Sequence, residues 1–322
     1  MKVLLQYVSK STVYKHVAIM TVLFSVLLMN ARAQIEPMFT QYMFNETFIN
    51  PAYTGSHENL STTLLYRDQW VGIAGAPKTQ TLSIHSPIDK RRLAIGLSVM
   101  NDNIGVSHQL YVSAAFAYRI LFPHSTLAFG ASGGFVNDEE LFTELHPITA
   151  GDNQFLYNSR KLFLPNAGFG MYYYNQRFYA GLSIPRLFEN NISTSPFMAP
   201  EKNSLDFNLW NYYLATGYVF DLSDEVKFKP SVMVKTVLHA PVELDMDVNF
   251  LFNDFLWLGG GYRTGDAVFG MVGLQLSKLL RIGYSYDYTL SALQTYTSGT
   301  HELTLQYDIN LHKNSTISTR YF

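Results

Sequence analysis

Two neighbouring segments carry charged residues in alternation with apolar ones, and they are the residues with the clearest potential for chemistry. The basic row and the acidic row are Lys227, Lys229, Lys235 and Glu243, Asp245, Asp247. If the connection near His239 closes a symmetric hairpin, Lys235 lies opposite Glu243 and the other charges lie within cross-strand reach. The rows could form a charged conduit or a partner-binding wall. We favour a paired lining that fills a narrow lumen, because unpaired charge in a confined space is costly.

The sequence offers little to support an enzyme. It contains neither an H-E-x-x-H zinc motif nor a phosphate-binding loop, and the absence of cysteine excludes thiolate chemistry. The histidines are scattered through predicted turns and loops. Gly259-Gly260-Gly261 indicates a curved strand rather than a phosphate cradle, because no helix follows it. We therefore predict no enzymatic activity, no catalytic residue, no cofactor and no metal site.

The charged rows belong to a longer series of segments that alternate with a period of two. In the segment 280–288, the even positions are apolar or aromatic and the odd positions are small or polar. The same test predicts fourteen strands, at residues 60–70, 79–86, 93–101, 109–119, 126–137, 166–174, 177–185, 208–220, 226–236, 242–252, 255–262, 267–276, 280–288 and 300–309. An even number of such strands is typical of bacterial outer-membrane barrels. We therefore predict an all-β, antiparallel transmembrane outer-membrane β-barrel over residues 60–309.

The predicted connections and the aromatic residues favour this fold over a soluble β-sandwich. If the first strand starts in the periplasm, all periplasmic connections are short. The longest connections, which all fall on the extracellular side, are 138–165, 186–207 and 289–299. A sandwich has no reason to sort its loops in this way, and it buries its aromatic residues in a core. Here many aromatics, such as Tyr66 and Trp257, lie near predicted strand ends, as membrane interfaces require.

Composition agrees with a barrel. The chain is 48% hydrophobic but only 15% charged, and its mean hydropathy is +0.02. That charged fraction is low against the roughly 25% of soluble domains. The hydropathy is nevertheless far too low for a helical membrane protein. Lipid-facing residues that alternate with polar lumen-facing residues produce such an average.

Residues 1–33 have the organisation of a secretory signal peptide. Lys2, Lys10 and Lys15 precede an apolar stretch over residues 17–29, and Ala31-Arg32-Ala33 supplies a cleavage site. The apolar stretch is too short for a spanning helix, which needs about 20 residues. Cleavage removes only basic charges and leaves an acidic mature chain, so we expect no nucleic-acid partner.

Between the signal peptide and the first predicted strand lies a segment that is neither strand-like nor linker-like. Its aromatic residues are Phe39, Tyr42, Phe44, Phe48 and Tyr53. Such a cluster must be buried against the barrel or must bind a periplasmic partner. We predict that residues 34–59 form a periplasmic N-terminal segment packed on or into the barrel, and that residues 310–322 form a periplasmic C-terminal tail.

Several motifs together resemble the PorP/SprF family of the Bacteroidota type IX secretion system. The motifs are PMFTQYMFN at 37–45, INPAYTGS at 49–56, LYRDQWVGI at 65–73, GAPKTQ at 75–80, NIG at 103–105, HEL at 301–303 and RYF at 320–322. The resemblance thus extends over the whole mature chain. It implies a barrel in the outer membrane of a Gram-negative, Bacteroidota-like cell that supports secretion or surface attachment of cargo proteins such as adhesins, with gliding motility among the processes served.

The resemblance also implies partners, namely secretion ring or translocon proteins or a secreted adhesin. The predicted partner-binding residues are Phe39, Tyr42, Phe44, Asn50, Pro51, Tyr53, Arg67 and Trp70. Arg67 and Trp70, at the end of the first strand, would form an extracellular platform or lock the first loop. Alternatives remain open: a lumen plug without a partner, a passive porin-like channel, which needs an open lumen, and a hydrolase, which needs a catalytic set at the extracellular rim.

Overall fold

A computed structural model of the protein describes residues 37–57, 59–88, 92–144, 158–159, 161–188, 207–238 and 240–309. The predicted signal peptide and the predicted C-terminal tail lie outside these residues. Within the described ranges, no helix is both long and apolar enough to cross a membrane.

The described residues form a closed antiparallel β-barrel. The strand segments are β1 (Leu60–Asp68), β2 (Lys78–Pro87), β3 (Leu93–Ile104), β4 (Ser107–Leu121), β5 (Ser125–Glu140), β6 (Leu162–Asn175), β7 (Phe178–Ile184), β8 (Tyr212–Tyr218), β9 (Phe220–Asp221), β10 (Val226–Thr236), β11 (Glu243–Phe252), β12 (Leu256–Arg263), β13 (Ala267–Gln275), β14 (Leu280–Thr289) and β15 (Thr300–Ile309). Because β9 continues β8 and both pair with β10, the segments in the described part of the chain make fourteen strands. β1 pairs with β15 and closes the wall. The predicted fold class is confirmed.

Side chains along each strand alternate between the lumen and the outer surface, because a pleated strand turns successive side chains to opposite faces. In β11, Asp245 and Asp247 are buried, whereas Met246 and Val248 are exposed on the outer surface. β14 alternates in the same way. The outward apolar residues form the band that lipid requires, and the polar rows face inward.

The two ends of the barrel differ in the length of their connections. One end has short turns only, at residues 88–92, 122–124, 176–177, 222–225, 253–255 and 276–279. The opposite end carries the longer connections, at residues 69–77, 141–161, 185–211 and 290–299. Outer-membrane barrels have short turns on the periplasmic side and longer loops outside. We therefore name these ends the periplasmic end and the extracellular end.

Some strand boundaries differ from the prediction. β6 begins at Leu162, whereas the sequence placed residues up to Pro165 in a loop. Proline lacks a backbone N–H and is therefore uncommon inside a sheet. In the structure Pro165 lies opposite Phe135 within the β5–β6 ladder. β1 ends at Asp68, two residues earlier than predicted, and leaves Trp70 in the following turn.

Candidate functional site: a lumen filled by the N-terminal segment

Residues 37–57 lie inside the barrel, and we call them the plug. Short 3-10 turns at Tyr42–Phe44, Glu46–Phe48 and Pro51–Tyr53 shape it. The side chain of Asn50 accepts a hydrogen bond from the backbone N–H of Ala52 at 2.9 Å and so caps the third turn. Pro51 suits the first position of that turn, because an N–H there would have no partner within the turn. The sequence left open whether the segment packs on or into the barrel, and the structure shows the second arrangement.

The aromatic residues of the plug are packed against the inner wall. Phe39, Tyr42, Phe44 and Tyr53 are all buried, and the partly buried Phe48 packs beside Phe39 with ring centroids 6.2 Å apart. The lumen therefore provides the burial that this cluster needs. The same side chains cannot reach a partner while the plug occupies the lumen. Their predicted role in partner binding stays a prediction, and it would require the plug to move.

A buried ionic cluster holds the plug in the extracellular half of the lumen. Arg67 donates to Asp287 and to Glu302, each at 2.9 Å. Glu302 also accepts from the backbone N–H groups of Thr40, at 3.0 Å, and Gln41, at 2.7 Å. Arg67 belongs to β1, Asp287 to β14 and Glu302 to β15. The cluster therefore ties the closing seam of the barrel to the plug.

Arg263, at the end of β12, extends this cluster. Its guanidinium is fully buried and donates to both carboxylate oxygens of Asp245, with Nε distances of 2.9 and 3.1 Å. It also donates to the carbonyl oxygen of Phe39 at 3.3 Å and lies 3.6 Å from Asp287. Charges in such a position are tolerated only when they are paired and hydrogen-bonded. The plug backbone supplies part of that pairing, so plug and cluster depend on each other.

Polar groups of the plug are matched to the wall at the middle of the lumen as well. The Tyr42 hydroxyl donates to Asp247 at 2.8 Å, and the Asn45 side-chain amide donates to Thr81 at 3.1 Å. The carbonyl oxygen of Ile49 accepts from the hydroxyl of Ser183 at 2.7 Å. Individually these bonds are weak, but together they fix the position of the plug along the lumen.

The wall also leaves space for the plug backbone. At Gly170 the side chain of Asn50 approaches so closely that a Cβ atom would overlap it. At Gly130 a Cβ atom would overlap the backbone of Pro51 and Ala52. Glycine is the residue that permits such an approach. The inner wall is thus shaped around this segment.

In the periplasmic half of the lumen, aromatic packing accompanies the hydrogen bonds that hold Gly55 and His57. The ring of Tyr53 lies 5.7 Å from the ring of His57, 5.7 Å from that of His85 and 5.4 Å from that of Tyr172. The Tyr53 hydroxyl is hydrogen-bonded to His57 Nε2 at 2.7 Å. Arg119 donates to the carbonyl oxygen of Gly55 at 2.9 Å and so fixes the end of the plug.

The predicted charged rows lie on paired strands, and Lys235 is opposite Glu243. Lys229, Lys235, Asp245 and Asp247 are buried inside the barrel. The Lys229 ammonium lies 5.3 Å from the centre of the Tyr179 ring, and that of Lys235 lies 5.8 Å from the centre of the Tyr213 ring. Such cation–π contacts stabilise a buried cation.

Lys227 lies apart from the other lumen charges. It is at the periplasmic rim, where it pairs with Asp254 at 2.9 Å. The acidic row is engaged by Arg263 and by the plug residue Tyr42. The arrangement resembles a filled lining more than an open conduit.

Arg67 and Trp70 have different positions. Arg67 is inside the lumen, in the ionic cluster. Trp70 has a left-handed backbone with φ of 51°, and its backbone N–H donates to the hydroxyl of Thr300 at 3.1 Å. The next residue, Val71, exchanges backbone hydrogen bonds with Gly299 and Ser298 at 2.8 and 2.7 Å. Of the two predicted roles, these contacts fit a lock for the first loop.

Sequence reasoning did not single out Arg263, Asp287, Glu302 and Arg119 as members of one site. Trp257, which the sequence placed among the aromatics of the membrane interface, is instead buried in the lumen beside the plug residue Phe44. The inward position of Arg263 could have been found from the alternation, since it has the opposite parity to the outward-facing Tyr262 in β12. The partner of these four residues could not, because the plug has no alternation that fixes its path. The segment Gly130-Ala131-Ser132-Gly133-Gly134 has the G-x-S-x-G spacing of a nucleophile elbow, which the sequence reading overlooked. It lies within β5 and is paired on both sides, so the sharp turn of an elbow is missing.

Comparison with known proteins adds the family. The family model described as "Type IX secretion system membrane protein PorP/SprF" matches residues 31–307. No curated protein matches the chain. Among solved structures, the outer membrane protein Omp33 of Acinetobacter baumannii is 10% identical with a TM-score of 0.46, and the match covers 79% of this chain and 100% of that one. The toluene transporter TbuX of Ralstonia pickettii is 10% identical with a TM-score of 0.47, covering 83% and 93%.

The matched range contains the plug and all but the end of the barrel wall. The chain therefore belongs to the PorP/SprF family of type IX secretion system membrane proteins, and it is an outer-membrane β-barrel.

Proposed function

We propose that this protein supports secretion or surface attachment of cargo proteins, such as adhesins, without passing them through its own lumen. The observation that carries the proposal is the plug, which fills the barrel and is bonded to the wall at both ends. A barrel closed in this way can serve as a fixed platform in the membrane. Its contacts with secretion machinery or cargo would then use the loops and turns outside the lumen.

The porin-like alternative is less well supported. A passive channel needs a continuous water-filled path, whereas Tyr42, Met43 and Tyr53 of the plug are almost completely buried between the strands. Opening a path would require the aromatic contacts and the ionic cluster to break together. We propose no catalytic role, and within the described ranges no group of histidine and acidic residues has the arrangement of a metal site.

The partners that fit this role are ring or translocon proteins of the secretion system or a secreted adhesin, with gliding motility among the processes served. The extracellular end is suited to contact a surface protein, because its first loop is locked to the last one. Gly105, between β3 and β4, also donates its backbone N–H to the carbonyl oxygen of Gly75 at 2.8 Å. This bond ties the connection between β3 and β4 to the first loop. Because loops held in this way are already ordered, they lose little conformational entropy when a partner binds.

Two measurements test the proposal. In a strain that lacks the gene, we expect cargo to be lost from the cell surface, and complementation should restore it. The purified wild-type barrel should show no stable conductance in planar bilayers. Normal cargo display in the deletion strain, together with stable pores formed by the wild-type protein, would favour the porin-like alternative.

A further inference from the structure

We infer that the N-terminal segment crosses the outer membrane inside the barrel, and that its first described residue, Pro37, lies toward the extracellular side. The sequence placed this part of the chain in the periplasm. The inference follows from the path of the plug through the lumen and does not rest on the proposed function.

The first described residues of the plug lie at the extracellular end. The carbonyl oxygen of Phe39 is bonded to Arg263, the last residue of β12. The hydroxyl of Thr40 donates to Asp287, two residues before the end of β14. Both strands run from the periplasmic end to the extracellular end. Phe39 and Thr40 therefore lie close to the extracellular mouth.

Pro37 lies in the same half of the barrel as Phe39. It lines one cleft with Pro185 and Arg186, the first residues after β7, where the long connection 185–211 begins. The guanidinium of Arg186 lies over the ring of Tyr111 at 5.3 Å. Tyr111 belongs to the extracellular part of β4, four residues after its start. The chain thus enters the lumen beside an extracellular loop.

The other end of the plug lies at the periplasmic end. Gly55 is bonded to Arg119, which is close to the last residue of β4. His57 lies 3.5 Å from Asp308, the second-last residue of β15. β1 then starts at Leu60 and pairs in register with Ile309. The plug therefore runs from the extracellular mouth to the periplasmic end, where the first strand begins.

This path has a topological consequence. A closed antiparallel barrel with an even number of strands brings the start of its first strand and the end of its last strand to the same side. An additional crossing inside the lumen moves the start of the chain to the opposite side. Signal-peptide cleavage before Gln34 would leave three residues, Gln34-Ile35-Glu36, ahead of the described plug. A protein that contacts this end of the mature chain would have to come from outside the cell.

The absence of cysteine makes the inference directly testable. We would introduce a single cysteine in a short Gly-Ser insertion between Gln34 and Ile35, and in a second variant Glu36→Cys. Intact cells are treated with a membrane-impermeant biotin–polyethylene glycol maleimide and compared with cells whose outer membrane has been permeabilised. Tyr296→Cys, in the connection 290–299, is the extracellular control, and Lys278→Cys, in the turn 276–279, is the periplasmic control. Both control positions are exposed.

We expect the insertion variant to be labelled on intact cells to the same extent as Tyr296→Cys. Labelling of both N-terminal variants only after permeabilisation, in the pattern of Lys278→Cys, would overturn the inference. Heat-modifiable migration on gels confirms for each variant that the barrel is folded.

Discussion

The two halves of the lumen hold the same segment by different means. In the extracellular half, Arg67 and Arg263 meet carboxylates and plug backbone groups at hydrogen-bond distances. In the periplasmic half, Tyr53 packs among histidine and tyrosine rings at centroid distances above 5 Å. The first set of contacts is directional, and the second depends mostly on burial.

This difference assigns separate tasks to the halves. Charged hydrogen bonds lose most of their value when the geometry changes, so the ionic cluster fixes the position of the plug. Stabilisation by aromatic burial is roughly proportional to the buried area and tolerates small displacements, so the ring contacts of Tyr53 stabilise the plug without fixing its exact position. Substitutions in the two halves should therefore have different consequences.

The largest effect is expected from removing aromatic volume in the periplasmic half. The ring of Phe44 lies in this half, 6.1 Å from the ring of Trp257 at the periplasmic start of β12. Phe44→Ala combined with Tyr53→Ala should destabilise plug packing, because each truncation of a large buried aromatic costs about 3–5 kcal/mol. Planar-bilayer recordings should then show conductance that the wild type lacks, while the barrel still inserts. We also expect reduced cargo secretion. Tyr296→Ala, at an exposed position, is the control. A double variant that is closed and secretes cargo normally would show that these rings do not hold the plug.

Removing the cation of the extracellular half should have the next largest effect. Arg67→Met removes the cation that contacts both Asp287 and Glu302 at 2.9 Å. Asp287 then keeps only Arg263, at 3.6 Å, as a counter-ion, and Glu302 keeps only its hydrogen bonds to the plug backbone, so the change should cost about 3–5 kcal/mol. Urea unfolding of the refolded barrel in detergent would measure the loss. Lys78→Met is the matched control, since Lys78 is exposed and its pair with Asp68 is long, at 4.0 Å. Equal stabilities of the two variants would contradict a structural role for the cluster.

A smaller effect is expected where the plug backbone approaches the wall. Gly170→Ala places a methyl group against Asn50 and should cost about 1–3 kcal/mol through overpacking. Gly270→Ala, also in a strand, has open space around the added atom and should be nearly neutral. The same urea titration compares them. If both variants unfold alike, Asn50 does not occupy this position.

The smallest effect should come from a single polar contact of the periplasmic half. Tyr53→Phe keeps the ring and removes the hydroxyl that is hydrogen-bonded to His57, so the loss should be about 0.5–1.5 kcal/mol. The free energy of unfolding of this variant should therefore be close to that of the wild type and well above that of Arg67→Met. A loss as large as that of Arg67→Met would show that the hydroxyl of Tyr53 holds the plug as strongly as the Arg67 cation does.

The alternation of apolar and polar residues predicted the barrel wall well, because within each strand it shows which side chains face the lumen. Asp245 and Asp247 were placed inside from sequence, and the structure has them there. Their bonding partners, Arg263 and Tyr42, were not predicted. Tyr42 lies 205 positions before Asp247, and a sequence pattern contains no information about such a pairing. The aromatic density of the plug showed that it must be buried, but not in which direction it runs.

The position of Glu302 has a consequence for biosynthesis. Its carboxylate binds Thr40, which lies 262 positions earlier, and neutralises Arg67 of the first strand. Contacts of such separation form late in folding. A chain that stopped before the last strand would leave Arg67 without this counter-ion and the first strand with a free edge. Incomplete products would thus be recognisable as such in the periplasm, where proteases remove open chains. Barrel closure therefore requires the last strand, because only a full-length translation product can close the barrel around its own N-terminal segment.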